Sequence, residues 1–126
     1  LVLLNYIEGQ AMQQRFSQQM KKGALDMLVL KLLEHEEKYG YQLISELRER
    51  TNDTVTLKEG TLYPILYRLE DGDLVESRMG DKAGREPARK YYAITEQGRI
   101  ALREMFEIWS EFDRCVQAIM EGTGSE

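Results

Sequence analysis

The apolar residues near the carboxyl end of the chain form one regular stripe. Their spacing alternates between three and four residues, and they are Leu102, Met105, Trp109, Phe112, Val116 and Ile119. This is the heptad pattern with which two helices pack along each other. Thr95 is a typical N-cap residue for such a helix, and Gly122 lies where a helix would end. We therefore predict a C-terminal helix over residues 95–122 that dimerises through this stripe with a second copy.

Two shorter helices are predicted in the first half of the chain. Apolar residues between positions 24 and 36, and again between positions 41 and 50, recur every three or four residues, as on the buried face of a helix. They are Leu25, Leu28, Val29, Leu32 and Leu33 in the first segment, and Leu43, Ile44 and Leu47 in the second. We expect Lys38-Tyr39-Gly40 to separate the two helices and residues 51–53 to form a turn.

A third helix is predicted to follow and to end at residues 71–72. Its inward face is formed by Leu62, Ile65, Leu66 and Leu69. Thr56 and Glu59 have the spacing of a capping box, which places the helix start at Thr56. Pro64 lacks the N–H group that a helix interior requires. Either the regular helix begins later, near Thr61, or it bends at the proline.

Two segments rich in Val, Tyr and Ile, residues 74–79 and 90–94, enclose a turn-forming loop and predict a β-hairpin. Three helices followed by a hairpin is the order of a winged helix-turn-helix domain, whose hairpin is the wing. The predicted fold class is mainly α (α+β), with this domain over residues 20–94 and the C-terminal dimerisation helix after it. Residues 1–19 are expected to be an N-terminal extension or arm. Met12 and Met20 are alternative starts, so no function is assigned to residues 1–11.

The outward face of the third helix combines small, aromatic and basic residues. Gly60 and Thr61 are small enough to let a helix approach a groove of DNA, and longer Tyr and Arg side chains reach phosphates or base edges. We expect DNA contacts from this helix, its flanks and the wing: Tyr41, Lys58, Gly60, Thr61, Tyr63, Pro64, Tyr67, Arg68, Lys82, Arg85, Arg89 and Lys90. The alternative is a solvated helix face beside a solvated basic loop.

Composition excludes several classes of protein. The net charge of −5 argues against general coating of nucleic acid, although basic residues are concentrated between positions 78 and 90. The single cysteine, Cys115, excludes an intrachain disulfide, fits a reducing cytoplasm and is expected to be buried. One histidine and one cysteine are too few for a zinc or copper site, and no catalytic motif is present. We expect no enzyme activity, no cofactor and, since apolar runs are short, no membrane partner.

Three segments of the chain resemble the PadR family of bacterial transcriptional regulators. They are Lys-Tyr-Gly-Tyr-Gln-Leu at 38–43, Gly-Thr-Leu-Tyr-Pro-Ile-Leu-Tyr-Arg-Leu-Glu at 60–70 and Arg-Lys-Tyr-Tyr-Ala-Ile-Thr-Glu-Gln-Gly at 89–98. The similarity extends over residues 20 to 120 with the same order and spacing, and Pro64 belongs to the family pattern. The resemblance implies a winged-helix regulator, and the single C-terminal helix is similar to the smaller subfamily.

Within that subfamily, residues 106–113 are similar to the lactococcal multidrug regulator. There the matching tryptophan flanks a pore across the dimer and stacks on planar drugs. The resemblance implies a site for a planar aromatic molecule lined by Trp109, Phe112 and Met105. This chain departs from that regulator in having Met105, Ile108 and Phe112 nearby, which are bulky enough to fill such a pore. The alternative for Trp109 is plain packing in the dimer interface.

These inferences together predict a homodimeric transcriptional regulator, a repressor of the PadR type. It would bind double-stranded DNA at a pseudo-palindromic operator and be released by a small aromatic effector. The rival hypothesis is a winged-helix dimer that binds a small molecule or a protein and does not read DNA.

Overall fold

The computed structural model describes residues 1–82 and 84–122. These residues contain five helices and three short strands, joined by turns and loops. In chain order they are α1 (Val2–Lys21), α2 (Ala24–Leu32), β1 (Lys38–Tyr39), α3 (Gly40–Arg50), α4 (Glu59–Asp71), β2 (Val75–Met79), β3 (Lys90–Ile94) and α5 (Glu96–Met120). The predicted winged helix-turn-helix is therefore confirmed, with α3 and α4 as its helix pair and β2–β3 as its wing.

The core lies between α2, α3, α4 and the sheet. All four predicted inward residues of α4 are buried, and Leu30 and Leu43 pack with them. The sheet is antiparallel in the order β1-β3-β2, with Val75 opposite Ile94. Side chains alternate across a strand, so Tyr92 of β3 points into the core and is fully buried while Tyr91 is half-buried. This packing fixes α4 with its opposite face outward.

Two elements were not predicted. Strand β1 has only two residues and exists because Lys38 and Tyr39 pair with Tyr92 and Tyr91 of β3, a contact that local sequence does not encode. Helix α1 spans the predicted extension and continues to Lys21, past the expected boundary at residue 19. No residue of α1 is buried, which agrees with the absence of an apolar stripe in its sequence.

Two predicted helix boundaries were wrong. Helix α2 ends at Leu32 rather than residue 36. Helix α4 begins at Glu59, with Lys58 as its N-cap, so the proposed Thr56 capping box does not form. The reason is that Leu57 is buried, which leaves Lys58 in an extended conformation immediately before the helix. Pro64 lies inside α4, so the alternative in which the helix begins near Thr61 was wrong.

The N-terminal end of α5 is anchored as expected. The Thr95 hydroxyl accepts a hydrogen bond from the Gly98 N–H at 3.0 Å and donates one to the Asp73 carbonyl at 2.6 Å. Leu102, however, is buried in the core of its own protomer and Met105 packs partly against that core. The other four stripe residues, Trp109, Phe112, Val116 and Ile119, are exposed. Cys115 is exposed as well in this single chain, contrary to the expectation that it is buried.

Candidate nucleic-acid interface

The outward face of α4 is as open as the sequence indicated. The residues exposed on or beside it include Lys58, Glu59, Gly60, Thr61, Pro64, Tyr67 and Arg68. Tyr41, at the start of α3, is also exposed. Gly60 has nothing within 4 Å of the position that a Cβ would occupy. The backbone of the first turn of α4 is therefore directly accessible to another molecule.

Tyr63 is placed differently from Tyr67, although both belong to α4. Its ring is half-buried against the core and lies 6.1 Å from the ring of Tyr67, measured between centroids. A Cβ on Gly40 would overlap the Tyr63 hydroxyl, so the glycine provides the space in which this ring lies. Burial, together with the Glu59 carboxylate, raises the pKa of Tyr63. Tyr63 is therefore partly covered by the core, while Tyr67 is open to contact.

Arg68 has a partner that the sequence did not reveal. Its Nη2 donates a hydrogen bond to Oδ1 of Asp26 in α2 at 2.7 Å. The two residues are 42 positions apart, and the pair joins the exposed side of α4 to the first turn of α2. Arg68 remains at the surface, but its charge is partly compensated by the carboxylate.

The predicted basic residues of the wing fall into two groups. Lys82 and Arg85 are exposed in the loop between β2 and β3. Arg89 instead lies over the Tyr39 ring, 4.4 Å from its centroid, and Lys90 Nζ lies 5.6 Å from the centroid of Tyr92. Cations held over aromatic rings are oriented by them. All four side chains are exposed, but within the described residues Lys82 and Arg85 are the two of them that no aromatic ring orients.

An ion pair at the base of the wing was also missed by the sequence argument. Arg78 of β2 binds Glu37 through two hydrogen bonds, one of them from Nε to Oε1 at 2.9 Å, and lies over the ring of Tyr91. The hydrogen bond from Arg78 lowers the pKa of Glu37, and the carboxylate raises the pKa of Arg78. This pair attaches β2 to the segment before β1 and leaves Arg78 less available to a phosphate.

A groove of about 1000 Å³ runs beside α4. Five of the predicted contact residues line it: Lys58, Gly60, Thr61, Pro64 and Arg68. Gln18, Lys21 and Lys22, from the end of α1, line it too, although the sequence argument had assigned them no role in binding. The adjacent lysines directly before the start of α2 were the only local signal that pointed to them.

The residues predicted to hold an aromatic ligand are only partly together in one chain. Trp109 is 45 % exposed and stacks on Phe106 with 6.5 Å between ring centroids and 6° between the planes. Phe112 is exposed one turn further along α5, whereas Met105 packs toward the core. Phe106 also lines a mostly apolar groove of about 320 Å³ between α2 and α5. The rings of Phe106 and Trp109 thus lie nearly parallel to each other, and both are exposed on α5.

Comparison with known proteins decides the family of this fold. The family model described as "Transcriptional regulator PadR-like family" matches residues 29–104, which include α3, α4 and the wing. The chain belongs to the PadR-like family of transcriptional regulators. PadR regulators are not enzymes, which agrees with the absence of catalytic motifs in the sequence.

Several relatives of this PadR-like chain are similar over most of its length. Protein X of Lysinibacillus sphaericus is 37 % identical over 101 residues, which cover 80 % of this chain and 92 % of protein X. A PadR family regulator from Eggerthella lenta is 30 % identical with a TM-score of 0.80, covering 93 % of this chain and 99 % of that one. Bacillus subtilis PadR in complex with operator DNA is 26 % identical with a TM-score of 0.61, covering 67 % of this chain and 47 % of that one.

The described parts of this PadR-like chain contain neither a membrane span nor a metal cluster. None of its helices there is both long and apolar enough to cross a membrane. Residues 1–82 and 84–122 also contain no group of three or more His, Cys, Asp or Glu side chains arranged to hold a metal ion.

Proposed function

We propose that this chain is a homodimeric DNA-binding transcriptional regulator that acts as a repressor in the cytoplasm. The observation that carries the proposal is the exposed face of α4, with Gly60, Thr61 and Tyr67 outward, on the same molecule as the exposed wing cations Lys82 and Arg85. A helix of this shape enters a major groove, while wing cations contact the flanking phosphates. The solved complex of Bacillus subtilis PadR with operator DNA supports this reading.

The dimer is proposed from the apolar surface that α5 leaves uncovered. The exposed apolar residues of its outer half are Phe106, Ile108, Trp109, Phe112, Val116, Ile119 and Met120. Exposing such a surface to water costs about 25 cal/mol per Å². A second copy offers the same stripe, and a two-fold axis makes the interface self-complementary. The two copies of α4 would then read half-sites about one helical turn, ~34 Å, apart on a pseudo-palindrome.

Repression and its release follow from this arrangement. A dimer bound over a promoter excludes polymerase, and a ligand that prefers a different spacing of the two α4 helices weakens binding. The stacked rings of Phe106 and Trp109 favour a planar aromatic ligand, because offset stacking on flat rings is attractive. The faces of aromatic rings also attract cations, which favours a ligand with positive charge.

The test is a titration of the full chain with the duplex that lies immediately upstream of its own gene, over a range of salt concentrations. A DNA reader loses affinity steeply with salt, because each phosphate contact releases counterions, and it prefers this duplex to a scrambled one. Tyr67→Ala should reduce that preference, whereas Lys82→Ala/Arg85→Ala should weaken binding to both duplexes equally. Absence of binding to either duplex at low salt would overturn the proposal and favour the rival, a dimer that binds a small molecule or a protein.

A further inference from the structure

The groove beside α4 has a charge that contrasts with that of the whole chain. The chain carries a net charge of −5. The charged residues that line the groove are Lys21, Lys22, Lys58, Arg68 and Asp26, four cations and one carboxylate. The positive charge of the groove is therefore local, and it collects residues from α1, from the segment before α4 and from α4 itself.

Three of these four cations are available to a ligand. Asp26, the carboxylate of the groove, is bound by Arg68 at 2.7 Å. Within the described part of the chain, Lys21, Lys22 and Lys58 form no ion pair with a carboxylate. Surface lysines are commonly just solvated, but these three come from two separate segments and line one concave surface. An anion in the groove would meet all three.

The groove is continuous with the exposed face of α4, because Gly60, Thr61 and Pro64 belong to both. A duplex that lies on this face therefore runs past the groove. Among the other lining side chains, those of Gln18, Thr56 and Thr61 carry hydrogen-bond donors, as phosphate contacts require, whereas Leu25, Leu57 and Ile65 are apolar. Helices α2 and α4 also begin beside the groove, so the positive ends of their dipoles lie at this surface. Neither helix has a side-chain hydrogen bond at its N-cap. These features match a DNA backbone rather than a base edge.

We propose that Lys21, Lys22 and Lys58 bind the phosphate backbone next to the major groove that α4 enters, so that the end of α1 is part of the DNA interface. This inference rests on the proposed DNA-binding function. None of the described wing residues lines the groove, so the two sets of cations contact different phosphates. Because phosphates carry no sequence information, the α1 lysines contribute affinity and leave the choice of operator to α4.

The experiment compares the full chain with Lys21→Gln/Lys22→Gln on the upstream duplex and on a scrambled duplex, over a range of salt concentrations. The matched control is Arg15→Gln/Arg48→Gln, which removes the same charge from residues outside the groove. We expect the slope of log affinity against log salt to become shallower by about 2 in the lysine variant, with its preference for the upstream duplex retained. The control should keep the slope of the wild type.

Two other results would contradict the proposal, and they can be distinguished from each other. An unchanged slope in the lysine variant, or an equal loss in the control, overturns the role of α1 while DNA binding by the wild type stands. Absence of salt-dependent binding by the wild type overturns the proposed function, and this inference with it. Thermal unfolding shows whether the double variant is folded; if it is not, Lys22→Gln alone, at an exposed position, should reduce the slope by about 1.

Discussion

Arg68 of α4 donates a hydrogen bond to Asp26 of α2 at 2.7 Å, across the groove wall where the two helices meet. This pair holds one basic side chain of the α4 surface against a carboxylate. In the proposed complex it therefore lowers the net positive charge that faces the DNA. The pair also sets the direction of Arg68, because a charged hydrogen bond of this length fixes both side chains.

Removing the carboxylate should strengthen DNA binding. In Asp26→Asn, Arg68 gains a full charge toward the phosphates, so we expect several-fold tighter binding to both specific and scrambled duplexes and a salt slope steeper by about 1. The free energy of unfolding should change by less than about 1 kcal/mol, as for other pairs at the surface. Asp71→Asn, at the exposed end of α4 outside the groove, is the control. Weaker binding by Asp26→Asn would instead mean that the pair positions Arg68 for contact.

Gly98→Ala should destabilise the protein. A Cβ at this position would overlap the carbonyl oxygen of Leu74 and come within 2.7 Å of Ile94 Cγ1, and the backbone oxygen cannot rotate away. We expect a loss of about 3 kcal/mol in the free energy of unfolding, measured with urea.

Gly60→Ala is the matched control for that glycine, since its Cβ would meet nothing within 4 Å. Alanine favours the helix, so the free energy of unfolding should stay the same or rise by up to about 1 kcal/mol. DNA affinity should nevertheless fall, because the new methyl group lies on the face that approaches the groove of the duplex. Equal stability of Gly98→Ala and Gly60→Ala would contradict the close approach of α5 to the Leu74 carbonyl.

The sequence was sufficient where a local pattern and the final packing agree. The inward face of α4 and the Thr95 cap were predicted, because helical spacing and capping chemistry are local properties. Other features depend on residues distant in the chain. Lys38, for example, lies in β1 because it pairs with Tyr92 of β3. Its buried Nζ donates a hydrogen bond to the Leu32 carbonyl at 2.7 Å and lies 3.4 Å from Glu46.

In the candidate site, too, some residues could be predicted from a local pattern and others depend on contacts distant in the chain. The exposed face of α4 follows from its helical period, so Gly60, Thr61 and Tyr67 could be selected from the sequence alone. The partner of Arg68 is 42 positions away, and the approach of the α1 lysines to Lys58 depends on how α1 and α2 are joined. Spacing along the chain carries no information on either contact.

Tyr92 should make stability depend on pH in the alkaline range. Its ring is fully buried, and its hydroxyl has no hydrogen-bond partner among the described residues. Burial raises the pKa of Tyr92 from 10.0 to about 12. The folded state therefore prefers the neutral phenol. The stability that this preference represents is present below pH 10 and is lost as the pH rises from 10 to 12, by about 2–3 kcal/mol.

Tyr92→Phe tests this dependence by comparison with the wild type. The variant should lose less free energy of unfolding between pH 10 and 12, and near pH 8 it should be as stable as the wild type or up to about 1 kcal/mol more stable, because an unpartnered hydroxyl has been removed. Tyr41→Phe, at an exposed position, should follow the wild type throughout. Parallel pH profiles for Tyr92→Phe and the wild type would contradict the burial argument.

The outer half of α5 should be required for dimerisation. Phe112 is 68 % exposed and Val116 lies on the same stripe one turn later, so carboxylates at both positions would be desolvated in a dimer. We expect Phe112→Asp/Val116→Asp to sediment as a folded monomer and to lose operator binding, since two half-sites then have to be bound independently. Ser110→Asp/Gln117→Asp adds the same charge to another face of α5 and should remain dimeric. An intact dimer in the first variant would place the interface elsewhere.

Trp109 is the only tryptophan of the chain, so its fluorescence reports directly on the proposed effector site. Its ring stacks on Phe106, and both rings are exposed on α5. We expect a planar cationic dye to quench this fluorescence in a saturable way and to weaken operator binding in the same concentration range. A neutral dye of the same shape should bind less tightly. Phe106→Leu, which keeps an apolar side chain but removes the stacking partner, should reduce the affinity for the dye while sedimentation still shows a dimer. If neither dye quenches Trp109 at high concentration, the tryptophan has only a packing role in the dimer.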